Sequence, residues 1–348
     1  MPSTTSFDIG FLSLAKDPQH PNRNEDRCIT LPGYAYAVID GVSDKSGLRY
    51  QGKTGGQVAG KVIEEVIRHE CQTKQPEEIE ADWLIRCFVE RFQEIHKEMG
   101  STLSIKTDPT TQFGAQLVLA LEGQSSFRFI IIGDCGLRIN GLDIFFFQNP
   151  MDDICSSIRK AVWYHLGSQG VVGTKRNEIA RAYTVNGLGS ELLDWSEWIN
   201  EDALQLLMEV AFKDLEHIQE KVDGSVVKKA LLGGIRKQSI YMNRIHPLGF
   251  PCINGFPIPR DLIKQFDYKT KDIETIELFS DGYFGCPKET QITNWEEHIA
   301  QVEIKDPEKV GDFASTKGSF DGCFTDDRTI LILHSKKTNL KEFSKMSS

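Results

Sequence analysis

The chain has 348 residues, and 40 lysines and arginines against 50 aspartates and glutamates give it a formal net charge of −10. With 40% hydrophobic and 26% charged residues it can bury a sizeable core. The acidic balance argues against binding to nucleic acid or to an anionic membrane, because both favour basic surfaces, and no apolar run reaches the roughly 18 residues of a transmembrane helix.

The first part of the chain combines short strands with two amphipathic helices. Strands are predicted at residues 7–14 and 34–39, and the second ends abruptly at Asp40-Gly41. Apolar residues then recur at intervals of three and four from Gly55 onward, and again over about 81–99, which predicts two helices. The strands expected next are 116–121, 127–132 and a run of about 137–147 that has its own turn at Asn140-Gly141.

Residues 151–270 differ in their predicted secondary structure, with helical stretches at about 154–166 and 202–221. Strand character returns at 275–279, and a helix at about 293–302 precedes a closing strand at 329–333. Because strands cluster at both ends, the pattern predicts a single α+β domain over 1–335. That domain would carry a helix-rich insertion at about 151–270, and a polar tail would follow at 336–348.

The cysteines indicate a reducing environment. The chain has 8 of them, with no CxxC pair and no cluster with histidine at zinc spacing, and most lie in or beside apolar stretches, as buried thiols do. We therefore expect a soluble, cytoplasmic protein.

Carboxylates mark the ends of several predicted strands. The apolar runs AYAVIDG, FIIIGD and IELFSDG end at Asp40, Asp134 and Asp281, and the run TILIL is entered through Asp326-Asp327. Strands of an antiparallel sheet end where their neighbours begin, so these acids are predicted to meet at one edge of one sheet. A single Asp-Gly after an apolar run is more often only a turn, and this reading stays open for each site alone.

Clustered carboxylates require a counter-charge, because several cannot share a desolvated site as anions. An all-oxygen set without cysteine or histidine favours Mg²⁺ or Mn²⁺ over Zn²⁺. Two such ions could activate a bridging water and orient a phosphate ester for in-line attack.

Five short motifs occur in order between residues 24 and 331: Asn24-Glu25-Asp26, Ala37-Val38-Ile39-Asp40-Gly41, Ile132-Gly133-Asp134-Cys135-Gly136-Leu137-Arg138, Leu278-Phe279-Ser280-Asp281-Gly282 and Asp326-Asp327-Arg328-Thr329-Ile330-Leu331. In this order they resemble the motifs of the metal-dependent protein phosphatases, the type 2C serine/threonine class, in a bacterial-type variant. Each is short and weak alone, whereas five in the family's order are fairly specific. Residues 151–270 carry no such resemblance.

The resemblance implies a sandwich of two antiparallel β-sheets flanked by α-helices, with a centre for two Mn²⁺ or Mg²⁺ ions at one end. Carried over position by position, Asp40 would bridge both ions and Gly41 would offer its backbone carbonyl. Asp281 and Asp326 would complete the ligand set.

Other positions take supporting roles under the same resemblance. Glu25 and Asp26 would hold metal-bound water molecules, and Asp134 would help to bind a third, weaker ion. The nucleophile would be a metal-bridged water, so no covalent intermediate is expected. Val42 stands where many eukaryotic members have a histidine, and protonation of the leaving group would then fall to water or to Asp44.

The residue that grips the substrate phosphate departs from the family pattern. An arginine is usual about five residues before the aspartate of the first motif, and Pro21 occupies that position here. Arg23 is the arginine predicted to bind the phosphate instead, although it comes two residues later, while His20 or Lys16 would need a different loop path.

The sequence therefore predicts an enzyme that hydrolyses phosphoserine or phosphothreonine on a protein substrate. A phosphatase-fold binding or regulatory module with weak or no catalysis stays open, acting through a docking partner at 151–270. A phosphohydrolase for a small phosphorylated molecule is the third possibility.

Overall fold

The computed structural model describes residues 7–43, 47–190, 193–319 and 322–336, and the chain divides into two compact units. The first unit comprises residues 1–148, 251–300 and 326–348, and the second comprises 149–250 and 301–325. Asp44 and the predicted tail from residue 337 onward lie outside the described residues. The domain boundaries proposed from the sequence stay a prediction.

The first unit is built on two five-stranded sheets in which every pair of neighbours is antiparallel. The strands are β1 (Phe7–Leu14), β2 (Arg27–Leu31), β3 (Ala35–Val42), β4 (Gly114–Glu122), β5 (Ser126–Ile132), β6 (Gly136–Ile139), β7 (Asp143–Phe145), β8 (Lys264–Lys269), β9 (Thr275–Phe279) and β10 (Arg328–Ser335). The first sheet has the order β1-β10-β9-β6-β7, and the second has the order β2-β3-β4-β5-β8. The predicted fold class, two antiparallel sheets with flanking helices, is confirmed.

The helices fall into both units, and α9 extends from the first into the second. They are α1 (Gly55–Thr73), α2 (Ala81–Glu98), α3 (Ser104–Thr107), α4 (Pro150–Ser168), α5 (Gly173–Asn186), α6 (Glu201–Asp214), α7 (Glu216–Gln219), α8 (Gly224–Lys237) and α9 (Ile292–Lys305). Among the described residues, none of these helices has both the length and the apolar character needed to cross a membrane.

Side chains that alternate between the two faces of each strand form two separate apolar cores in the first unit. Val38 of β3, Phe129 of β5, Leu278 of β9 and Leu331 of β10 point into a core shared by the two sheets. The opposite face of the second sheet, which includes Ile39, packs against the apolar stripes of α1 and α2. The second sheet is thus buried on both faces, which explains the almost continuous apolar sequences of β3 and β4.

The outer face of the first sheet holds a buried ion pair. Arg138 on β6 and Glu277 on β9 are only 2% and 0% exposed, and the Arg138 guanidinium donates to the Glu277 carboxylate. The indole Nε1 of Trp295, on α9, donates to Glu277 Oε1 at 2.8 Å. Because every partner is buried, the charges of this cluster depend on each other for compensation.

The second unit is helical, and α4 is its central element. This helix contacts α5, α6 and α8, and Ile158, Val162 and Leu166 are fully buried on it. Arg159 is also buried on α4, where its guanidinium donates to the backbone carbonyl of Lys309 at 3.1 Å.

Several local predictions need correction. The run predicted at 137–147 is the hairpin of β6 and β7, and the helix predicted at 202–221 is divided into α6 and α7. The strands β2 and β8 were not predicted. β8 lies inside the range expected to be helix-rich, and its sequence KQFDYK is mostly polar because this edge strand is half exposed.

The ion pair on the first sheet yields a prediction about stability. Replacing Glu277 by leucine leaves the buried guanidinium of Arg138 without its counter-charge, so we expect a loss of about 3–5 kcal/mol in the free energy of unfolding. The double variant Arg138→Met/Glu277→Leu removes both charges and should recover most of that loss. Urea unfolding of both variants is the measurement, and equal stability of the single and double variants would contradict it.

Candidate metal centre

The second sheet supplies two carboxylates through neighbouring strand ends. Asp40 is near the end of β3 and pairs across the ladder with Gln116 of β4. Asp134 follows the end of β5, and its Oδ2 accepts a hydrogen bond from Gln116 Nε2 at 2.9 Å. The Gln116 side chain also accepts from the backbone N–H of Asp134. One amide side chain thus fixes Asp134 beside the strand that carries Asp40.

The first sheet supplies the remaining acids, which also lie at the ends of its strands. β9 runs into Ser280-Asp281, and Asp326-Asp327 lead into β10, its antiparallel neighbour. The backbone N–H of Ser280 donates to the Thr329 carbonyl at 3.0 Å, and the Thr329 N–H donates to Ser280 Oγ at 2.9 Å. These two bonds hold the end of β9 against the start of β10.

The acids of the two sheets meet. Asp40, Asp134 and Asp281 each offer a carboxylate oxygen, and these atoms all lie within 4.8 Å of one another. The expectation that the acids share one edge of one sheet is wrong in that respect, because Asp281 belongs to the other sheet. Packing of the two sheets, and not strand pairing alone, brings these groups together.

Burial and mutual repulsion dominate the electrostatics of the cluster. Burial raises the pKa of Asp40 well above its ordinary value, and the charges of Asp281, Asp26, Asp134 and Asp326 raise it further. The chemistry of this donor set, hard oxygen ligands in excess of nearby cations, fits a divalent ion such as Mg²⁺ or Mn²⁺.

Asp26 is close enough to Asp40 for their charges to interact, and it is 7% exposed. Burial raises its pKa to about 8, against a hydrogen bond from Ser280 Oγ at 2.7 Å that lowers it. Within the described part of the chain, no hydrogen bond reaches its second oxygen, Oδ1. A buried acceptor in this position suits a carboxylate that hydrogen-bonds a water molecule.

Lys16 is a cation that lies among the acids. Its Nζ lies 3.7 Å from Glu25 Oε2, 3.5 Å from Asp326 Oδ1 and 3.4 Å from Asp327 Oδ2. Burial alone would lower the pKa of Lys16, but these carboxylates raise it above its ordinary value. The loop that carries Lys16 is fixed as well, because the Lys16 backbone N–H donates to Asp327 Oδ1 at 2.7 Å.

Arg23, the arginine predicted to bind phosphate, has a different environment. Its side chain is 57% exposed, and its guanidinium lies 3.8 Å from Asp17 Oδ2. The same carboxylate accepts from His20 Nδ1 at 2.6 Å. The role of Arg23 stays a prediction, while Lys16 has the contacts with the acids.

Gly41 is constrained by the start of α1. A Cβ atom at Gly41 would lie 2.6 Å from the carbonyl oxygen of Gly56 and 2.7 Å from that of Glu25. Helix α1 begins here because Thr54 and Gln57 form a reciprocal capping box. A side chain at position 41 would therefore collide with these two backbone carbonyl groups, so the position requires glycine. The resemblance assigns the backbone carbonyl of Gly41 to a metal ion.

Glu25 is positioned by its own neighbours. Its side chain accepts from Ser43 Oγ, and its backbone N–H donates to Asp327 Oδ2 at 3.0 Å. The Ser43 hydroxyl also accepts from the Gly56 N–H at 3.2 Å. The first acidic motif is therefore tied to Asp327, the residue before β10, and to the first turn of α1.

Sequence reasoning did not single out Gln116 or Ser280 as site residues. Both are uncharged, and their role depends on cross-strand neighbours that a single chain does not reveal. Ser280 adjoins Asp281 in the motif, which was the available signal. For Gln116, the signal was a polar residue at the start of the apolar run GAQLVLALE.

Comparisons with known proteins gave matches among solved structures. No family model matches the sequence, and no curated protein matches it either. The chain is similar to the serine/threonine phosphatase Stp1 from Staphylococcus aureus, with 12% identity, 96% of this chain and 97% of that chain covered, and a TM-score of 0.44.

It is also similar to the Mycobacterium tuberculosis serine/threonine phosphatase PstP/Ppp, with 11% identity, 94% of this chain and 98% of that chain covered, and a TM-score of 0.42. A further match is the catalytic domain of the serine/threonine protein phosphatase PstP in complex with 2 manganese ions, with 13% identity, 95% and 99% coverage, and a TM-score of 0.42. At these identities the likeness does not extend to activity, which the site itself must indicate.

The raised pKa of Asp26 predicts a pH effect on the metal-free protein. Between about pH 4 and pH 8, the folded state holds a proton on Asp26 that the unfolded chain has released, so stability falls as pH rises through this window. We expect Asp26→Asn, which cannot ionise, to reduce that fall by up to about 1.4 kcal/mol per pH unit.

Thermal unfolding in EDTA at about pH 5 and pH 8 tests this. The matched control is Asp272→Asn, which changes an exposed acid of the same unit. If Asp26→Asn and the control showed the same pH dependence, Asp26 would not titrate as the structure indicates.

Proposed function

We propose that this protein is a Mn²⁺- or Mg²⁺-dependent phosphatase that hydrolyses phosphoserine and phosphothreonine on proteins. The observation that carries the proposal is the approach of Asp40, Asp134 and Asp281, whose oxygens lie within 4.8 Å of one another. When bound, divalent ions supply positive charge for the phosphate ester and activate water for in-line attack.

The chain's own groups divide into ligands and supports. Two ions would be held by Asp40, the Gly41 carbonyl, Asp281 and Asp326, and a third by Asp134. Glu25 and Asp26 would position water molecules. The Ser43 hydroxyl orients the Glu25 carboxylate, and the Ser280 hydroxyl orients the Asp26 carboxylate.

Lys16 would contact the substrate phosphate in place of the family's arginine. Its ammonium group adjoins Asp326 and Asp327, and the Lys16 side chain as a whole is 37% exposed, so solvent reaches part of it. An ammonium in this place attracts a phosphate dianion and balances charge when the substrate arrives.

The remaining parts of the proposal concern location and partners. A phosphorylated protein as substrate follows from the resemblance, and the residues 151–270 would offer the docking surface for a partner. A cytoplasmic location agrees with the cysteine pattern described above.

The first functional prediction concerns Asp281. With Mn²⁺, we expect hydrolysis of p-nitrophenyl phosphate and of a phosphothreonine peptide, and we expect Asp281→Asn to lower kcat/KM by at least about 100-fold, because a metal ligand is lost. The control Asp272→Asn should retain activity. EDTA should abolish turnover by both the wild type and the control. Full activity of Asp281→Asn would refute the proposed centre, and the peptide-to-ester ratio decides between a protein and a small-molecule substrate.

The second prediction concerns Lys16. In the Mn²⁺-loaded protein, Lys16→Met should raise KM for the peptide by about 10-fold or more with a smaller change in kcat, since a charge-assisted contact is worth about 1.5–3 kcal/mol. Lys16→Arg keeps the charge and should restore most of the affinity. An unchanged KM in Lys16→Met, together with a raised KM in Arg23→Met, would move the phosphate-binding role to Arg23.

A binding module without useful turnover is the second candidate, and the position of Lys16 favours it. An ammonium group within 3.4–3.7 Å of three carboxylates can neutralise part of the cluster without an ion. Calorimetric titration with Mn²⁺, combined with the two hydrolysis assays, separates the candidates. Binding of Mn²⁺ without hydrolysis of p-nitrophenyl phosphate or of the phosphothreonine peptide would support the module.

A further inference from the structure

A cavity of about 550 Å³ lies in the first unit beside α1 and α2, lined by residues that have no part in the proposed metal centre. Its apolar lining includes Val58 and Val62 from α1, and Ile95 and Met99 near the end of α2. Tyr50, from the segment that leads into α1, adds an aromatic wall. The volume is in the range that encloses a small organic molecule.

The rim of the cavity is basic, although the chain as a whole is acidic at −10. Four cationic side chains, those of Arg49, Lys53, Lys61 and Arg91, line it together with only two carboxylates, Glu65 and Glu98. The lining therefore has an excess of two positive charges.

Those two acids are already engaged by two of the cations. Lys61 Nζ lies 3.3 Å from Glu65 Oε1, and Arg91 lies 3.6 Å from Glu65 and 3.9 Å from Glu98. Within the described part of the chain, Arg49 and Lys53 form no ion pair with a carboxylate. The excess positive charge is thus concentrated on these two side chains.

The segment that presents them is preorganised. Tyr50 and Lys53 form a backbone bridge with hydrogen bonds of 2.8 Å and 3.1 Å around a two-residue turn. The turn requires positive φ at Gln51 (52°) and Gly52 (81°), as in the tight turns of hairpins. The Tyr50 ring also packs against Phe113 of the core, with ring centroids 4.8 Å apart. Binding would therefore cost little ordering of this backbone.

We propose that this cavity binds a small organic anion, in which a phosphate, sulfonate or carboxylate group is attached to an apolar or aromatic body. The anionic group would lie between Arg49 and Lys53, and the apolar body would lie against Tyr50, Val62 and Met99. A bare inorganic anion would leave the apolar wall unused. The proposal is independent of the phosphatase assignment, because none of these residues belongs to the metal centre.

Titration calorimetry of the full chain in EDTA, with naphthalene-1-sulfonate as the probe, tests this proposal. A sulfonate is not a phosphatase substrate, and metal-free conditions remove binding through ions at the acidic cluster. We expect one site per chain, and affinity at least about tenfold higher than for inorganic sulfate, because about 1.4 kcal/mol of apolar contact suffices for this factor.

The double variant Arg49→Glu/Lys53→Glu should bind the probe at least about tenfold more weakly. The matched control Lys97→Glu/Lys106→Glu makes the same change in net charge at exposed positions of the same unit that do not line the cavity. It should bind like the wild type, and thermal unfolding confirms that both variants are folded.

Three results would overturn the proposal: no binding of the probe by the wild type, equal binding by the Arg49/Lys53 variant, or equal affinity for sulfate and the aromatic sulfonate. Failure of the phosphatase assays would leave this outcome unaffected, since the two sets of variants share no residue.

Discussion

Repulsion between clustered carboxylates is the constraint on which the rest of the first unit depends. Asp40, Asp134 and Asp281 approach one another closely, and burial raises the pKa of Asp40 far above its usual range. Such an arrangement is unfavourable unless the fold imposes it and a cation compensates it. The apolar core between the sheets does the first, and the same packing leaves the carboxylates converging on a common point. Lys16 compensates only part of the charge, which leaves a place for divalent ions.

Uncharged side chains fix the positions of the carboxylates in the site. Gln116 holds Asp134, Ser280 holds both Asp26 and the start of β10, and Ser43 joins Glu25 to the first turn of α1. Each of these groups donates to a carboxylate and accepts from a backbone N–H, so it joins two strands or a strand and a helix. Preorganised hydrogen bonds of this kind hold the carboxylates in place, as the proposed metal centre requires.

The sequence was informative where one residue type and its local pattern decide the outcome. Asp-Gly after an apolar run located Asp40 and Asp281, and the strand before Asp281 was predicted with its observed bounds, Thr275–Phe279. Prediction stopped where tertiary packing decides. The sharing of acids between two sheets, the half-exposed strand β8 and the approach of Lys16 all depend on contacts between segments far apart in the chain. The loop after β1, which brings Lys16 to Asp327, carries no local signal for that path.

The division of the acids between the sheets has a mechanical consequence. An ion bound by Asp40 and Asp281 would be tied at once to β3 of the second sheet and to β9 of the first. It would link the two sheets at one end of the sandwich. Moving the sheets relative to each other would then require breaking coordination bonds as well as apolar contacts. Metal binding would then resist relative movement of the two sheets at that end, whereas the interior of the sandwich is held by side-chain packing.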